Sequence, residues 1–159
     1  MVRLLLRMKA DLENVEAIEF PADYTWNIDV TQAGGTEEKK GVTLSAAEVL
    51  EIPGSRGTAN LVIRFGGSKH AATINVEHVK GVTRPYTAAD SGQFVPIISF
   101  ECRGVEPTRW TPTTGCAIKG PKSVFEEADI AEDWADFDEA ANQSVGVYGL
   151  EFDFVVHKN

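Results

Sequence analysis

The chain contains little cysteine and little histidine. Among its 159 residues there are two cysteines and three histidines. Cys102 and Cys116 are too few for a disulfide scaffold, and they are too far apart in sequence to form a two-cysteine metal knuckle. We therefore expect both thiols to be reduced. A chain of this length can bury a sufficient core without disulfides or a structural metal.

Cations and long apolar runs are also scarce. The chain has 15 Lys and Arg against 24 Asp and Glu, a formal net charge of -9. Such a surface repels phosphate backbones and anionic lipids, so we expect neither a nucleic acid nor a membrane as partner. The N-terminal run of three leucines is interrupted by Arg7 and Lys9, which excludes a secretory signal, and no run approaches transmembrane length. We expect a cytoplasmic or nuclear protein.

Alternation of apolar and polar residues with a period of two is the main pattern in the sequence. In the first segment Leu4, Leu6 and Met8 alternate with Arg7 and Lys9, as expected for a half-buried strand. The same alternation occurs in segments 26–31, 61–65, 94–103 and 148–156. The glycine pairs Gly34-Gly35 and Gly66-Gly67 end two of these runs and supply the positive φ that tight hairpin turns require. Strands and hairpins therefore dominate the prediction.

Helical signals are sparse. Residues 45–48, with the sequence SAAE, fit a capping box at the start of one short turn. In the acidic segment Ile130, Trp134, Phe137 and Ala141 lie at roughly helical spacing. That spacing fits either a short amphipathic helix or an irregular acidic loop held by its aromatic residues.

The two halves of the sequence resemble each other. The segment RMKADLENVEAIEFP aligns with SFECRGVEPTRWTP, which places Met8 over Phe100 and Phe20 over Trp110. Each half also ends in an alternating strand region. We predict a duplicated β unit, with one copy in residues 1–84, the other in residues 94–159 and the join within residues 82–93. The two copies are expected to pack as one globular body.

Few residues are arranged for chemistry. His70 and His78 lie eight residues apart on one extended segment, too far to share an ion, and Cys102 falls on an apolar strand face, as a structural cysteine does. Residues 126–139 carry eight carboxylates but lack the pattern of a calcium-binding EF-hand loop. An acidic run is usually a solvated surface. The alternative is a hydrolase that uses two of these carboxylates as an acid and base pair.

Five motifs together resemble the eukaryotic CXXC-motif-containing zinc-binding protein family. They are GSRG (54–57), RPYTAAD (84–90), FECRGVEP (100–107), DWADFDE (133–139) and QSVGVYG (143–149). The resemblance covers essentially the whole chain. It implies a mostly β protein of two similar halves, with no established enzymatic activity and with one zinc held by two CxxC pairs in the N-terminal half.

The positions that the resemblance assigns to the zinc ligands contain no cysteine. Alignment on Trp26 and on GSRGTANLVIRF places the four ligands at Gln32, Gly35, Phe65 and Ser68. None of these residues is a credible zinc ligand. We therefore expect no zinc and no cofactor, and we expect Phe65 to fill part of the vacated volume. The two glycine turns should still lie close together.

These observations predict an all-β protein in which two similar β units pack as a sandwich or as barrel-like halves, with few short helical turns. We expect a non-catalytic, monomeric binding or adaptor protein with a protein partner. The residues proposed for the partner surface are Arg103, Glu106, Trp110, Asp133, Trp134 and Asp136. The alternatives are the hydrolase named above and a metal-handling protein that gathers Cys102, Cys116 and a histidine.

Overall fold

The computed structural model describes residues 1–158 and has an all-β fold, as predicted. A six-stranded antiparallel sheet forms its centre, in the order β14-β15-β1-β10-β8-β7. Its strands are β1 (Val2–Glu13), β7 (Leu61–Ile63), β8 (Ala72–Glu77), β10 (Val95–Arg103), β14 (Trp134–Asp138) and β15 (Gln143–Val156).

Three smaller sheets complete the fold. One has the order β11-β3-β4, the second β13-β12-β2-β9, and the third pairs β5 with β6. Their strands are β2 (Ala17–Glu19), β3 (Trp26–Gln32), β4 (Glu38–Leu44), β5 (Leu50–Glu51), β6 (Thr58–Ala59), β9 (Tyr86–Thr87), β11 (Val105–Trp110), β12 (Cys116–Lys119) and β13 (Val124–Ala128). A single turn of 3-10 helix, η1 (Ala88–Asp90), is the helical element of residues 1–158. Within that range no helix is long and apolar enough to cross a bilayer.

Strand β1 shows why the alternating pattern produces this fold. Leu6 and Met8 are fully buried on one face, whereas Arg7 on the other face pairs with Asp153 of β15. The apolar face packs into the core, and the polar face carries ion pairs across neighbouring strands. The prediction of a half-buried first strand is confirmed.

The strand order is symmetric about the central β1 and β10 pair. Strands β15 and β14 flank β1 in the same way that β8 and β7 flank β10. The hairpin β3-β4 accepts β11 from the second half of the chain, and β12-β13 accepts β2 from the first half. Each half therefore contributes a strand to the other half's small sheet, which ties the two together. The duplication of residues 1–84 and 94–159 itself stays a prediction.

An aromatic cluster lies where these exchanged strands meet. Trp26 and Trp110 are 3% and 1% exposed, and their ring centroids lie 6.0 Å apart. Phe20, just after β2, packs 5.2 Å from Trp26 and 6.0 Å from Trp110. Tyr24 packs edge-on against Trp26 at 4.7 Å. Such aromatic pairs each contribute about 0.5–1.5 kcal/mol beyond their buried area.

The segment that joins the two halves is held by hydrogen bonds. The Tyr86 hydroxyl accepts a hydrogen bond from the Ala10 amide at 3.2 Å and lies 2.6 Å from the Asp90 carbonyl oxygen. Arg84 makes a two-point contact with the Asp90 carboxylate at 2.6 and 2.8 Å. The Arg84 guanidinium and the hydrogen bonds from Thr87 hold the pKa of Asp90 well below its usual range. The predicted join is thus a packed connection.

The acidic segment is neither of the two forms predicted for it. Residues 134–138 form strand β14, which pairs with β15 at the edge of the central sheet. Trp134 packs edge-on against Phe125 at 5.3 Å. Ala135 and Phe137 alternate with Asp136 and Asp138, and this period of two competes with the helical spacing in the stretch. Backbone pairing with β15 decides in favour of the strand, because strand formation depends on neighbours distant in sequence.

Candidate functional site

The two glycine turns of the N-terminal half lie side by side. We call them the paired turns: residues 33–37 join β3 to β4, and residues 64–71 join β7 to β8. Gly34 and Gly67 adopt φ angles of 74° and 76°, the left-handed conformation predicted for the glycine pairs. The Gly66 amide donates a 3.0 Å hydrogen bond to Oε1 of Glu37. The expectation that the turns lie close together agrees with this contact.

The residues at the four family ligand positions do not fit a zinc ion. Phe65 is 2% exposed and packs in the core, and Gly35 has no side chain. The Ser68 hydroxyl donates a 2.9 Å hydrogen bond to the His70 carbonyl oxygen. Gln32 offers only a neutral amide. A structural zinc site needs four thiolate, imidazole or carboxylate donors, and this set contains none.

A ring and a carboxylate join the paired turns in this chain. Burial of Phe65 contributes about 1.5–3 kcal/mol relative to an exposed side chain. Lys39 lies 5.9 Å from the centre of that ring and 3.5 Å from the Glu37 carboxylate. Glu37 was not singled out from the sequence, because a glutamate beside a turn carries no local signal of a contact 29 residues away.

The alternative metal site of Cys102, Cys116 and a histidine does not form. Within residues 1–158 no three His, Cys, Asp or Glu side chains come together in a group that could hold a metal ion. Both cysteines are free thiols, 2% and 0% exposed. Burial raises the pKa of each thiol to about 12, and nearby carboxylates add to the shift.

The six residues proposed for a partner surface do not form one surface. Arg103, Glu106, Asp133 and Asp136 are exposed, and Trp134 is half-buried. Trp110 is 1% exposed, so its assignment to the surface is wrong. It lies inside the aromatic cluster because β11 joins the small sheet of β3 and faces inward.

Sheet geometry separates the remaining five residues. Val2 of β1 pairs with Cys102, next to Arg103, whereas Leu12 pairs with Val147, the partner of Trp134. These two pairs are ten positions apart along β1, which corresponds to about 33 Å along the strand. The two groups of residues therefore belong to opposite ends of the central sheet.

One carboxylate of the acidic segment has a structural role. Asp138 is 0% exposed and joins the β12-β13 turn to the β14-β15 turn. It accepts hydrogen bonds from the amides of Lys122 (2.9 Å), Ser123 (2.8 Å) and Ala141 (3.1 Å) and from the Ser123 hydroxyl (2.8 Å). Burial acts to raise its pKa, but these hydrogen bonds outweigh burial and hold the pKa at about 2. Asp138 is therefore a structural acceptor.

Two other carboxylates of the segment line a cavity. Glu126 and Glu127, together with Glu19, Asp23 and Phe20, border a space of about 310 Å³. Glu126, Glu127 and Asp23 are exposed. A glycosidase general acid needs a carboxyl group shielded from water, which none of these three has. The cavity can attract a cation. Its carboxyl groups are not distinguished from one another as the general acid and the general base of a hydrolase.

The fold and this site together define an all-β protein whose two paired glycine turns carry no zinc donor set. The family model for the eukaryotic CXXC motif containing zinc binding proteins matches residues 5–155. The chain belongs to this family. It contains no CxxC pair, since Cys102 and Cys116 are its two cysteines.

Individual relatives match the chain over nearly its full length. The UPF0587 protein of Nematostella vectensis is 36% identical over 98% of this chain and 99% of the relative. The CXXC motif containing zinc binding protein of Xenopus laevis is 33% identical over 97% of this chain and 98% of the relative. A solved hypothetical protein from Plasmodium falciparum superposes with a TM-score of 0.90 at 27% identity, covering 98% and 100% of the two chains.

Proposed function

We propose that this chain is a non-catalytic, intracellular binding or adaptor protein that works without zinc. The observation that carries the proposal lies at the positions that the motif resemblance assigns to the family's ion: Phe65 is buried in the core, and Glu37 bonds to Gly66. A contact of this kind keeps the paired turns together at any metal concentration. The shape of the family is retained although its donors are lost.

The chemistry of the other candidate residues supports a binding role. A nucleophilic thiol must be exposed and ionised, whereas Cys102 and Cys116 are buried with pKa values raised to about 12. His78 is exposed, and its Nδ1 lies 3.0 Å from the Thr83 hydroxyl. Among residues 1–158 no carboxylate is hydrogen-bonded to this ring. These residues suit packing and surface contacts better than proton transfer or covalent catalysis.

The first experiment measures metal content and metal dependence. Protein purified without chelator is analysed by mass spectrometry for metals, and its melting temperature is recorded with and without EDTA. We expect less than stoichiometric zinc and no change in melting temperature. A stoichiometric metal together with a clear loss of stability in EDTA would contradict the proposal, because a structural zinc contributes on the order of 10 kcal/mol.

A second experiment tests whether the assigned positions are the family's ligand positions. The combined variant Gln32→Cys, Gly35→Cys, Phe65→Cys and Ser68→Cys should bind one zinc ion and gain stability with zinc. A matched control places the same cysteines at Gln32, Gly35, Val62 and Ser68, which moves one thiol to a neighbouring strand position. Equal zinc affinity of the two variants would show that the assignment is wrong.

A third experiment tests the binding role. Native extract from cells that express the tagged chain is separated by gel filtration, with and without EDTA. We expect part of the chain to elute in a complex larger than the free chain, and this complex should survive EDTA. Elution only at the size of the free chain would contradict a binding or adaptor role.

A further inference from the structure

Two cavities share Phe20 and Pro21 as lining residues. One is the acidic cavity of about 310 Å³, bordered by Asp23, Glu126 and Glu127. The other is a mainly apolar slot of about 140 Å³, which Glu77 and His78 also line. Its apolar lining consists of Phe20, Pro21, Ala22, Trp26, Ala46, Val76 and Ile98. We call the two together the Phe20 groove.

The floor of the groove packs on buried aromatic residues. Phe20 is half-buried and stands on the aromatic cluster, 5.0 Å from Tyr24 and 5.2 Å from Trp26. The slot is therefore preformed, and a ligand does not have to order its walls. Preformed apolar cavities beside a few polar groups are typical of ligand and peptide sites.

The negative charge of the groove favours a cationic occupant. The carboxylates of Asp23, Glu126 and Glu127 have no hydrogen bond or ion pair with residues 1–158, whereas Glu19 is paired with Lys119 at 3.0 Å. A third cavity, of about 450 Å³, is lined by Phe20 and by Arg84. The two-point contact with Asp90 neutralises that guanidinium. Three uncompensated negative charges therefore face whatever enters the groove.

We propose that the Phe20 groove binds an extended segment of a partner protein in which an aliphatic side chain is followed closely by a lysine or an arginine. The aliphatic side chain fills the apolar slot. The cation enters the acidic cavity, where the carboxylates of Asp23, Glu126 and Glu127 attract it. Because the cavities share Phe20 and Pro21 as a wall, the two side chains come from neighbouring positions of the segment. This inference rests on the proposed binding role.

The probes are labelled decapeptides in a glycine and serine background. One carries leucine followed by two arginines, a second replaces the leucine by serine, and a third replaces both arginines by glutamate. Fluorescence anisotropy should show saturable binding of the first, weakened by salt, and much weaker binding of the other two. Equal binding of all three peptides, or binding of none, would overturn the proposal.

Matched variants locate the site. Ala46 is exposed and lines the slot, so Ala46→Trp should block it and weaken binding about tenfold or more. Ala47 is also exposed but lines neither cavity of the groove, and Ala47→Trp should leave affinity within about twofold. Glu126→Gln combined with Glu127→Gln should weaken binding about three- to tenfold, whereas Glu132→Gln combined with Glu139→Gln should not. Equal effects in the paired variants would overturn the proposal.

Failure of this inference is distinguishable from failure of the proposed function. If the large complex in cell extract forms equally well with Ala46→Trp and with the native chain, the binding role holds and the Phe20 groove is not its surface. If the leucine and arginine peptide binds and Ala46→Trp abolishes both that binding and the complex, the groove is the partner site. Melting curves of every variant show that loss of binding is not loss of fold.

Discussion

The two halves of the chain each join neighbouring turns through a carboxylate, but the two carboxylates differ in burial. In the C-terminal half, Asp138 is 0% exposed and accepts four hydrogen bonds. In the N-terminal half, the Glu37 side chain is 40% exposed and accepts one hydrogen bond from an amide of the neighbouring turn. Topology makes these turns equivalent, since β3-β4 and β7-β8 correspond to β12-β13 and β14-β15.

The difference in burial shows how each pair of turns is held together. A buried carboxylate with four donors needs a turn shaped around it, and Gly120 provides that shape, because a Cβ atom there would lie 2.8 Å from the Asp138 carboxylate. The paired turns have only a partial substitute, in which Phe65 fills volume and Glu37 adds one exposed contact. We therefore expect the N-terminal turns to depend on apolar packing and the C-terminal turns to depend on hydrogen bonding.

The largest expected effect comes from removing the N-terminal packing. Phe65→Ala should lower the free energy of unfolding by about 3–5 kcal/mol, because it deletes a ring that is 2% exposed. Phe137→Ala is the matched control in the C-terminal half, since Phe137 is 45% exposed and should cost far less. Urea titration measures both. Similar losses in the two variants would show that Phe65 has no special role in the paired turns.

The next effect concerns Asp138 and pH. Its folded pKa of about 2 lies below the unfolded value of about 3.9. The stability that it supplies is therefore fully present above about pH 4 and is lost as the pH falls from there towards 2. Asp138→Asn should lower the melting temperature at pH 7 by about 5–10 °C. The melting temperature of this variant should also fall less steeply than that of the native chain as the pH is lowered.

Glu139→Gln is the control for this prediction, because Glu139 is an exposed acid next to Asp138. Its melting curve should follow the native chain at every pH. The pKa of Asp90 is also lowered, so the stability that Asp90 supplies is likewise lost in acid. The stability of Asp138→Asn should therefore still depend on pH to some extent. An unchanged acid dependence in that variant would contradict the assigned role of Asp138.

The smallest effect is expected at Glu37. Its ion pair with Lys39 spans 3.5 Å, and both side chains are 40% exposed, so solvent screens the contact. Glu37→Gln should change the free energy of unfolding by no more than about 1 kcal/mol. A loss as large as that of Asp138→Asn would mean that the two carboxylates are equivalent, and the contrast between the halves would fail.

Much of the fold could be predicted from local patterns. The alternation of Leu4, Leu6 and Met8 identified β1, and the glycine pairs identified both hairpin turns, because these signals reside within a few residues. The strand at Trp134 was missed since its helical spacing and its strand spacing coexist, and only pairing with β15 separates them. Trp110 was misplaced at the surface because its burial depends on β3 and Phe20.

The candidate sites, like the fold, could be predicted only in part from local sequence patterns. The absence of cysteine at Gln32, Gly35, Phe65 and Ser68 could be found by aligning motifs. The contact of Glu37 with Gly66 and the four donors around Asp138 could not, because these partners are held together by strand pairing across the molecule. The Phe20 groove was missed for that reason: its acidic and apolar walls come from separate parts of the chain.

The sequence by itself determined the all-β class, the family, the hairpin turns and the loss of the zinc donors, since side-chain type and period-two spacing act locally. Tertiary structure decided which carboxylates join turns, which aromatic residues are buried and where a groove opens. Those outcomes depend on the exchange of β2 and β11 between the halves, which brings together residues far apart in the chain.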